Sequence, residues 1–379
     1  MRGFRLGRVF GFEIRIDSSW FILFALILWT FSYIVFPQQV PGRDVATYLI
    51  MGLTGTLLFF VSLLLHEIAH SLVARAKDIP VEGITLFLFG GMAHTRMEAE
   101  TPGDEFLIAG AGPVMSVLIA VVLGGIWYLG SGAGFDPAVL AVLQYIAALN
   151  IILAVFNLLP GFPLDGGRLF RAIVWKATGD MNRATRVASF GGRILAYILM
   201  AFGLMSAFAG NVLGGMWMVF IGWFLRNAAI SSYQQHILLN VLSGVRASQA
   251  MTPDPDTVPS HATVRELADE YFMRRRHAAY PVVDGSTTVG LVTLQAVREV
   301  PREEWDTRTA GDIMIPVGDE VVVRADDAMV AVMDRLNASP ARRVLVMRDG
   351  DLLGIITPSD ITFWLERARQ EGKGPARGR

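Results

Sequence analysis

The chain contains no cysteine. This excludes disulfides, thiolate metal ligands and a cysteine nucleophile. Charge is scarce as well: 18% of the 379 residues are Asp, Glu, Lys or Arg, against 53% hydrophobic, and the mean hydropathy is +0.45. An average soluble domain carries about 25% charged residues. The formal net charge of −1 gives no basis for nucleic acid as a partner. The scarcity is uneven. Residues 1–250 hold 16 Lys/Arg and 13 Asp/Glu, whereas residues 251–379 hold 17 and 21, more than twice the density. A membrane-embedded first part and a soluble second part are implied. The opening "MRGFRLGRVFGFEIRID" is basic but has no apolar core before a cleavage site, so no removable signal peptide is expected.

Apolar runs occupy Ser18–Phe36, Leu49–Ala74, Glu105–Leu129, Ala138–Leu159, Ala188–Ala209 and Leu213–Ile230. A bilayer core needs about 20 such residues, and a large soluble core is the weaker alternative for six runs of this length. Six spans return the chain to the side on which it started. Of the basic residues before position 251, Arg43 alone lies toward one face, and the rest lie toward the other. The positive-inside rule therefore makes both termini cytosolic.

The second run contains "LLLHEIAHSLVARAK", residues 63–77. His66 and His70 are four apart and share one helix face, so their imidazoles can bind one metal ion. Glu67 can reach a water at that metal as general base. This is the HExxH arrangement of zinc metalloproteases. Titratable groups in mid-span are costly and usually functional; otherwise they are polar residues satisfied by neighbouring helices. Catalytic zinc needs a third protein ligand, and no cysteine can supply it. "NLLPGFPLDGGRLFRA", residues 157–172, offers one acid, Asp165, in a Pro- and Gly-rich segment after the fourth run. Taken alone, Asp165 reads as the cap of a helix beginning near Gly167. Beside the histidine pair it could complete a His/His/Asp site.

"HEIAH" and "NLLPGFPLDGG", supported by "VFGFEIRIDSSWFILF" and "LFLFGGMAH", resemble the site-2 protease family of intramembrane zinc metalloproteases over residues 1 to about 235. The resemblance implies zinc ligation by His66, His70 and Asp165, with Glu67 as the catalytic carboxylate. It also implies that Asn157 helps to stabilise the tetrahedral intermediate. Within that reading zinc polarises the scissile carbonyl, Glu67 relays the proton and Asn157 donates to the oxyanion. His94 is an extra ligand by residue type, but it lies in polar "HTRMEAE" and is read as a surface or gating residue. "GITLFLFGGMAH", residues 83–94, is expected to form a β-hairpin whose edge pairs with an unwound substrate segment, a cytosolic strand and turn being the alternative. Gly191-Gly192 and Gly214-Gly215 are expected to be close-packing positions.

The C-terminal part repeats itself. "ASQAMTP" at 247–253 recurs as "AGDIMIP" at 310–316, and "YPVVDGSTTVGLVTLQAV" at 280–297 as "VLVMRDGDLLGIITPSDI" at 344–361. Each copy reads as strand, helix, strand–turn–strand, helix. This resembles a tandem CBS domain pair, a fold that implies adenine nucleotide binding in clefts between the copies. Thr357 and Asp360 match the threonine and aspartate that hold ribose and phosphates. The first copy has Thr293 but Ala296, so its cleft is expected to be nucleotide-poor. A ligand-free dimerisation module is the alternative.

The expected fold is thus a polytopic α-helical membrane domain of about six transmembrane helices with short β elements, followed by an α/β CBS pair. The expected bounds are 1–235 for the protease domain, 236–246 for a linker, 247–303 and 304–366 for the two CBS copies, and 367–379 for a disordered tail. The expected function is intramembrane proteolysis of single-span membrane proteins, such as an anti-sigma factor or a signal-peptide remnant. The CBS pair is expected to regulate it and to support a homodimer. The competing reading is a CBS-gated metal-ion transporter or sensor. Glu67 argues against it, because a carry-only site needs no base, as does the lack of an internal repeat among the spans.

Overall fold

A chain that crosses hydrocarbon has to bond its peptide groups internally, and helices do so within one segment. In the computed structural model six helices are long and apolar enough to span a membrane, matching the six apolar runs. The structure describes residues 4–87, 90–95, 99–242, 244–274 and 277–370, with the backbone alone at 82, 92–95, 240 and 365–370. Two compact units divide the chain, Met1–Gln234 and Gln235–Arg379.

The first unit opens with antiparallel strands β1 (Phe4–Val9) and β2 (Phe12–Ile16). Helix α1 (Ser18–Thr30) continues through a π turn at Phe31–Val35 into α2 (Phe36–Gln39), and together they form the first span. Helix α3 (Val45–Ala76) is the second span. Strands β3 (Val81–Phe87) and β4 (Gly90–Thr95) follow as an antiparallel pair, which is the expected hairpin. The remaining spans are α4 (Pro102–Gly132), α5 (Pro137–Asn157), α7 (Met181–Phe208) and α8 (Val212–Leu242). A short amphipathic helix, α6 (Asp165–Thr178), lies between α5 and α7. Side-chain caps mark several starts: Asp17 accepts from Ser19 N at 2.9 Å, Thr101 from Asp104 N at 3.1 Å, Asp136 from Ala138 N at 2.7 Å and Asp180 from Asn182 N at 2.9 Å. Each cap satisfies an amide that the first helical turn leaves free.

The N-terminal strands and the hairpin join into one sheet, ordered β1-β2-β3-β4, with β2 and β3 parallel. Phe12 and Ile14 alternate inward and pack with Ile84 on Ile68 of α3. The sheet therefore rests on the helix that carries the histidine pair. The close-packing role expected of Gly191-Gly192 is met: a Cβ at Gly192 would lie 2.0 Å from the carbonyl oxygen of Phe162, so the loop leading to Asp165 sits directly on α7. A second tie is ionic. Glu105 of α4 is fully buried and accepts from Arg171 Nε of α6 at 2.6 Å, while the Arg171 guanidinium lies over the Phe162 ring at 5.2 Å.

The second unit shows the expected repeat. The first copy has α9 (Ala247–Ala250), β5 (Thr252–Pro253), β6 (Val258–Pro259), α10 (Val264–Glu266, extended by a π turn to Phe272), β7 (Ala279–Asp284), β8 (Thr287–Thr293) and α11 (Leu294–Glu299). The second has α12 (Ala310–Ile313), β9 (Ile315–Pro316), β10 (Val322–Arg324), α13 (Met329–Ala338), β11 (Val344–Arg348), β12 (Asp351–Ile356) and α14 (Pro358–Gln370). The sheets do not follow the copies. Their orders are β6-β7-β8-β9 and β10-β11-β12-β5, so each copy lends its short leading strand to the other's sheet. The repeat alone did not indicate this exchange.

Helix extends into two of the expected segments. The segment read as a linker, 236–246, is helical through Leu242, because Leu238 and Leu242 pack into a core with Val323, Met329 and Ile356. The segment read as a disordered tail begins inside α14, which continues to Gln370; residues 371–379 lie outside the described residues.

Candidate metal centre

Helical spacing puts His66 and His70 on one face of α3, and both are buried, at 2% and 7% exposure. Neighbouring α4 sets their orientation. His70 Nδ1 lies 2.6 Å from the carbonyl oxygen of Ile108, and His66 Nδ1 lies 2.9 Å from Ser116 Oγ. A carbonyl only accepts, so His70 carries its proton on Nδ1 and leaves a lone pair on Nε2. Asp165, the first residue of α6, brings Oδ2 to 3.1 Å from His66 Nε2 and 3.2 Å from His70 Nε2; the two Nε2 atoms are 3.2 Å apart.

These three atoms form a nearly equilateral triangle of acceptors. Lone pairs so close repel unless a cation lies among them. Zinc bonds of about 2.0–2.1 Å in tetrahedral geometry space ligand atoms roughly 3.3 Å apart, close to the separations found. His66, His70 and Asp165 also meet the spacing for a metal cluster among the described residues. The donors suit zinc: two neutral imidazoles, each held at its other nitrogen, and one carboxylate.

A cavity of about 700 Å³ opens on the triad, lined among others by Glu67, Asn157, Phe87, Arg168, Trp217 and Phe224. The structure thus brings His66, His70, Glu67, Asp165 and Asn157 together on one cavity. Asn157 reaches it as the last residue of α5. The side chain of His94 lies outside the described residues; its backbone in β4 pairs with Gly83. Thr357 and Asp360 sit together in the second unit. Asp360 Oδ2 accepts from Thr357 N and Oγ1, both at 2.7 Å, and its Oδ1 accepts from Thr252 Oγ1 at 2.9 Å. The carboxylate expected to hold a ribose thus already ties the exchanged strand β5 in place. A cleft of about 320 Å³ lies beside Thr293 of the first copy, lined also by Arg298 of that copy and Arg343 of the second.

Sequence reasoning missed two glycines. A Cβ at Gly112 of α4 would lie 2.2 Å from His70 Nε2 and 2.5 Å from His66 Nε2, so only a hydrogen there leaves room for a metal. A Cβ at Gly91 of β4 would lie 2.3 Å from Glu67 Cγ, so β4 passes directly over the carboxylate. "GAG" inside an apolar run reads as helix packing, and the histidines lie 42 and 46 positions earlier, so no local signal pointed to Gly112. Gly112→Ala is expected to abolish metal binding in elemental analysis of the purified protein. Gly91→Ala is expected to keep the metal and to displace Glu67, lowering any reaction that needs its carboxylate about 100-fold. Full metal occupancy in Gly112→Ala would contradict the packing argument.

The family model for peptidase family M50 matches residues 54–134 and 124–202, and that for the CBS domain matches 247–303 and 310–367. Rip3 of Mycobacterium tuberculosis, which carries a provisional zinc-metalloprotease designation, is 38% identical over 359 residues, covering 94% of this chain and 91% of Rip3. Zinc metalloprotease MJ0392 of Methanocaldococcus jannaschii is 30% identical over 332 residues, or 87% and 90% of the two chains. The solved site-2 protease from Methanocaldococcus jannaschii matches at 30% identity, covering 61% of this chain and 95% of that one, with a TM-score of 0.42. With 38% and 30% identity to Rip3 and MJ0392 over most of each chain, and family-model matches in both halves, the chain belongs to peptidase family M50, the site-2 protease family of membrane zinc metalloproteases, and carries a CBS domain pair.

Proposed function

We propose that this chain is a zinc-dependent intramembrane endopeptidase that cleaves single-span membrane proteins, with a cytosolic CBS pair regulating it. One observation carries the reading: three convergent acceptors, His66 Nε2, His70 Nε2 and Asp165 Oδ2, lie 3.1–3.2 Å apart beside Glu67 in one cavity. Zinc held there supplies Lewis acidity and makes water nucleophilic near neutral pH. Glu67 takes a proton from the attacking water and returns it to the leaving amine. The Asn157 amide donates to the oxygen on which charge develops. Strand β4 is the end strand of its sheet and runs over Glu67. An extended substrate adding to that edge presents its backbone to the base, which answers the need to unwind a helix before cutting it. The substrate class is a single-span membrane protein, such as an anti-sigma factor or a signal-peptide remnant; nucleic acid is not among the partners.

His66→Ala, His70→Ala and Asp165→Ala are each expected to lose zinc and activity together, whereas Glu67→Gln keeps zinc and loses activity. Zinc content by elemental analysis, paired with accumulation of single-span proteins in membranes of the Glu67→Gln form, checks both halves. A fully zinc-loaded Asp165→Ala would remove Asp165 from the ligand set.

The excess of Lys/Arg on one face supports cytosolic N- and C-termini. A reporter fused after Arg379 is expected to read cytosolic, and one near Gly42 external; an external reading at Arg379 refutes this orientation. The CBS pair then meets cytosolic nucleotides and supports homodimers. Asp360→Ala is expected to weaken adenine nucleotide binding to the full chain by about 1–3 kcal/mol and to change the cleavage rate without changing zinc content. If calorimetry finds no binding of ATP, ADP or AMP, the module is a dimerisation element instead.

A further inference from the structure

Among the described residues, the cavity is lined by one cationic side chain that the mechanism above does not use. Arg168 lies on α6 three residues after Asp165, on the same helix face, and lines the same cavity as His66, Glu67 and Asn157. Its side chain is 35% exposed, and the carboxylate oxygen Glu105 Oε1 is distant from its Nε at 3.9 Å. Glu105 already has a close partner in Arg171, which donates from Nε at 2.6 Å and from a second guanidinium nitrogen.

A charge count follows. Glu105 and Arg171 cancel. On the zinc reading, two positive charges on the ion meet one negative charge each from Asp165 and Glu67 and also cancel. Arg168 is left over, one positive charge facing a cavity with apolar walls. A lone charge in such surroundings is costly unless an anion meets it. Hydrolysis makes that anion. The water oxygen adds to the scissile carbonyl carbon, the C–N bond breaks, both water protons end on the amine, and the products are a carboxylate and an ammonium.

We propose that Arg168 is a further catalytic residue: its guanidinium binds the negative oxygen that develops on the scissile carbonyl and the C-terminal carboxylate of the product that follows. Its planar fork of donors matches a carboxylate. The tight Glu105–Arg171 pair leaves that fork uncommitted. This inference rests on the zinc-peptidase reading, and its test separates the two.

Full-length protein in detergent micelles is assayed for zinc by elemental analysis and for binding of two product mimics, acetyl-dileucine with a free carboxylate and its C-terminal amide. The parent is expected to hold zinc and to prefer the acid. Arg168→Gln is expected to hold as much zinc, to bind the acid about 10- to 100-fold more weakly and to bind the amide as the parent does. Arg168→Lys, which keeps the charge but not the fork, is expected to fall between. A parent without zinc defeats the peptidase reading itself. With zinc in the parent, unchanged preference for the acid in both variants overturns the role of Arg168. So does loss of zinc in Arg168→Gln, because the residue would then serve only to hold Asp165.

Discussion

The convergence of two imidazole lone pairs and a carboxylate oxygen within 3.2 Å, deep among apolar helices, is the constraint around which the membrane unit is built. Three such groups, whose spacing suits a metal ion, cannot be brought so close by one element. Helix α3 supplies both histidines, α4 supplies the groups that meet their Nδ1 atoms, and α6 supplies Asp165. Each of those helices must therefore approach the others more closely than ordinary side chains allow. Gly112 removes the obstruction at the nitrogens. Gly192 removes it under the loop that delivers Asp165. The buried Glu105–Arg171 pair fastens α6 to α4 at the same level. A buried ion pair is weak support for stability but costly to break, and here it joins the helix that brings the third acceptor to the helix that orients the first two.

The sheet answers a separate problem. A peptide in a membrane helix has its amides paired and its carbonyls unavailable. Backbone edges are tolerated at membrane depth only where protein or a wet cavity meets them. Here β2 and β3 bury Phe12, Ile14 and Ile84 against α3, and β4 remains at the end of the sheet, passing over Glu67. The same packing that seals one face of α3 thus leaves an extended edge beside Glu67.

In the second unit, exchange of β5 and β9 makes the two copies interdependent. Neither sheet is complete without a strand from the other copy. Asp360 fastens one of those strands through Thr252 while holding its own Thr357. The end of α8 lies in the core of one sheet, with Leu242 fully buried beside Ile356.

Much of this was written in local patterns. Six apolar runs specify six spans because each must be long enough for the bilayer and bond its own backbone. The four-residue spacing of His66 and His70 specifies a shared face because a helix turns every 3.6 residues. The paired "ASQAMTP" and "AGDIMIP" segments specify two like copies. What could not be read is set by distance along the chain. Asp165 stands 95 positions from His70, and its place at the triad depends on how α6 packs on α4. Gly112 and Gly91 look like ordinary packing glycines until the neighbouring side chains are in place. That Glu105 lies closer to Arg171 than to Arg168, three residues earlier on the same helix, is likewise decided by packing. The helix at 236–242 has a related cause: these residues are weak helix signals alone, and at Leu238 and Leu242 burial against distant strands supplies the free energy that composition does not display. Periodicity and spacing act within a few residues and so survive in the sequence, whereas close approach and charge cancellation act through space and appear only when the helices are packed.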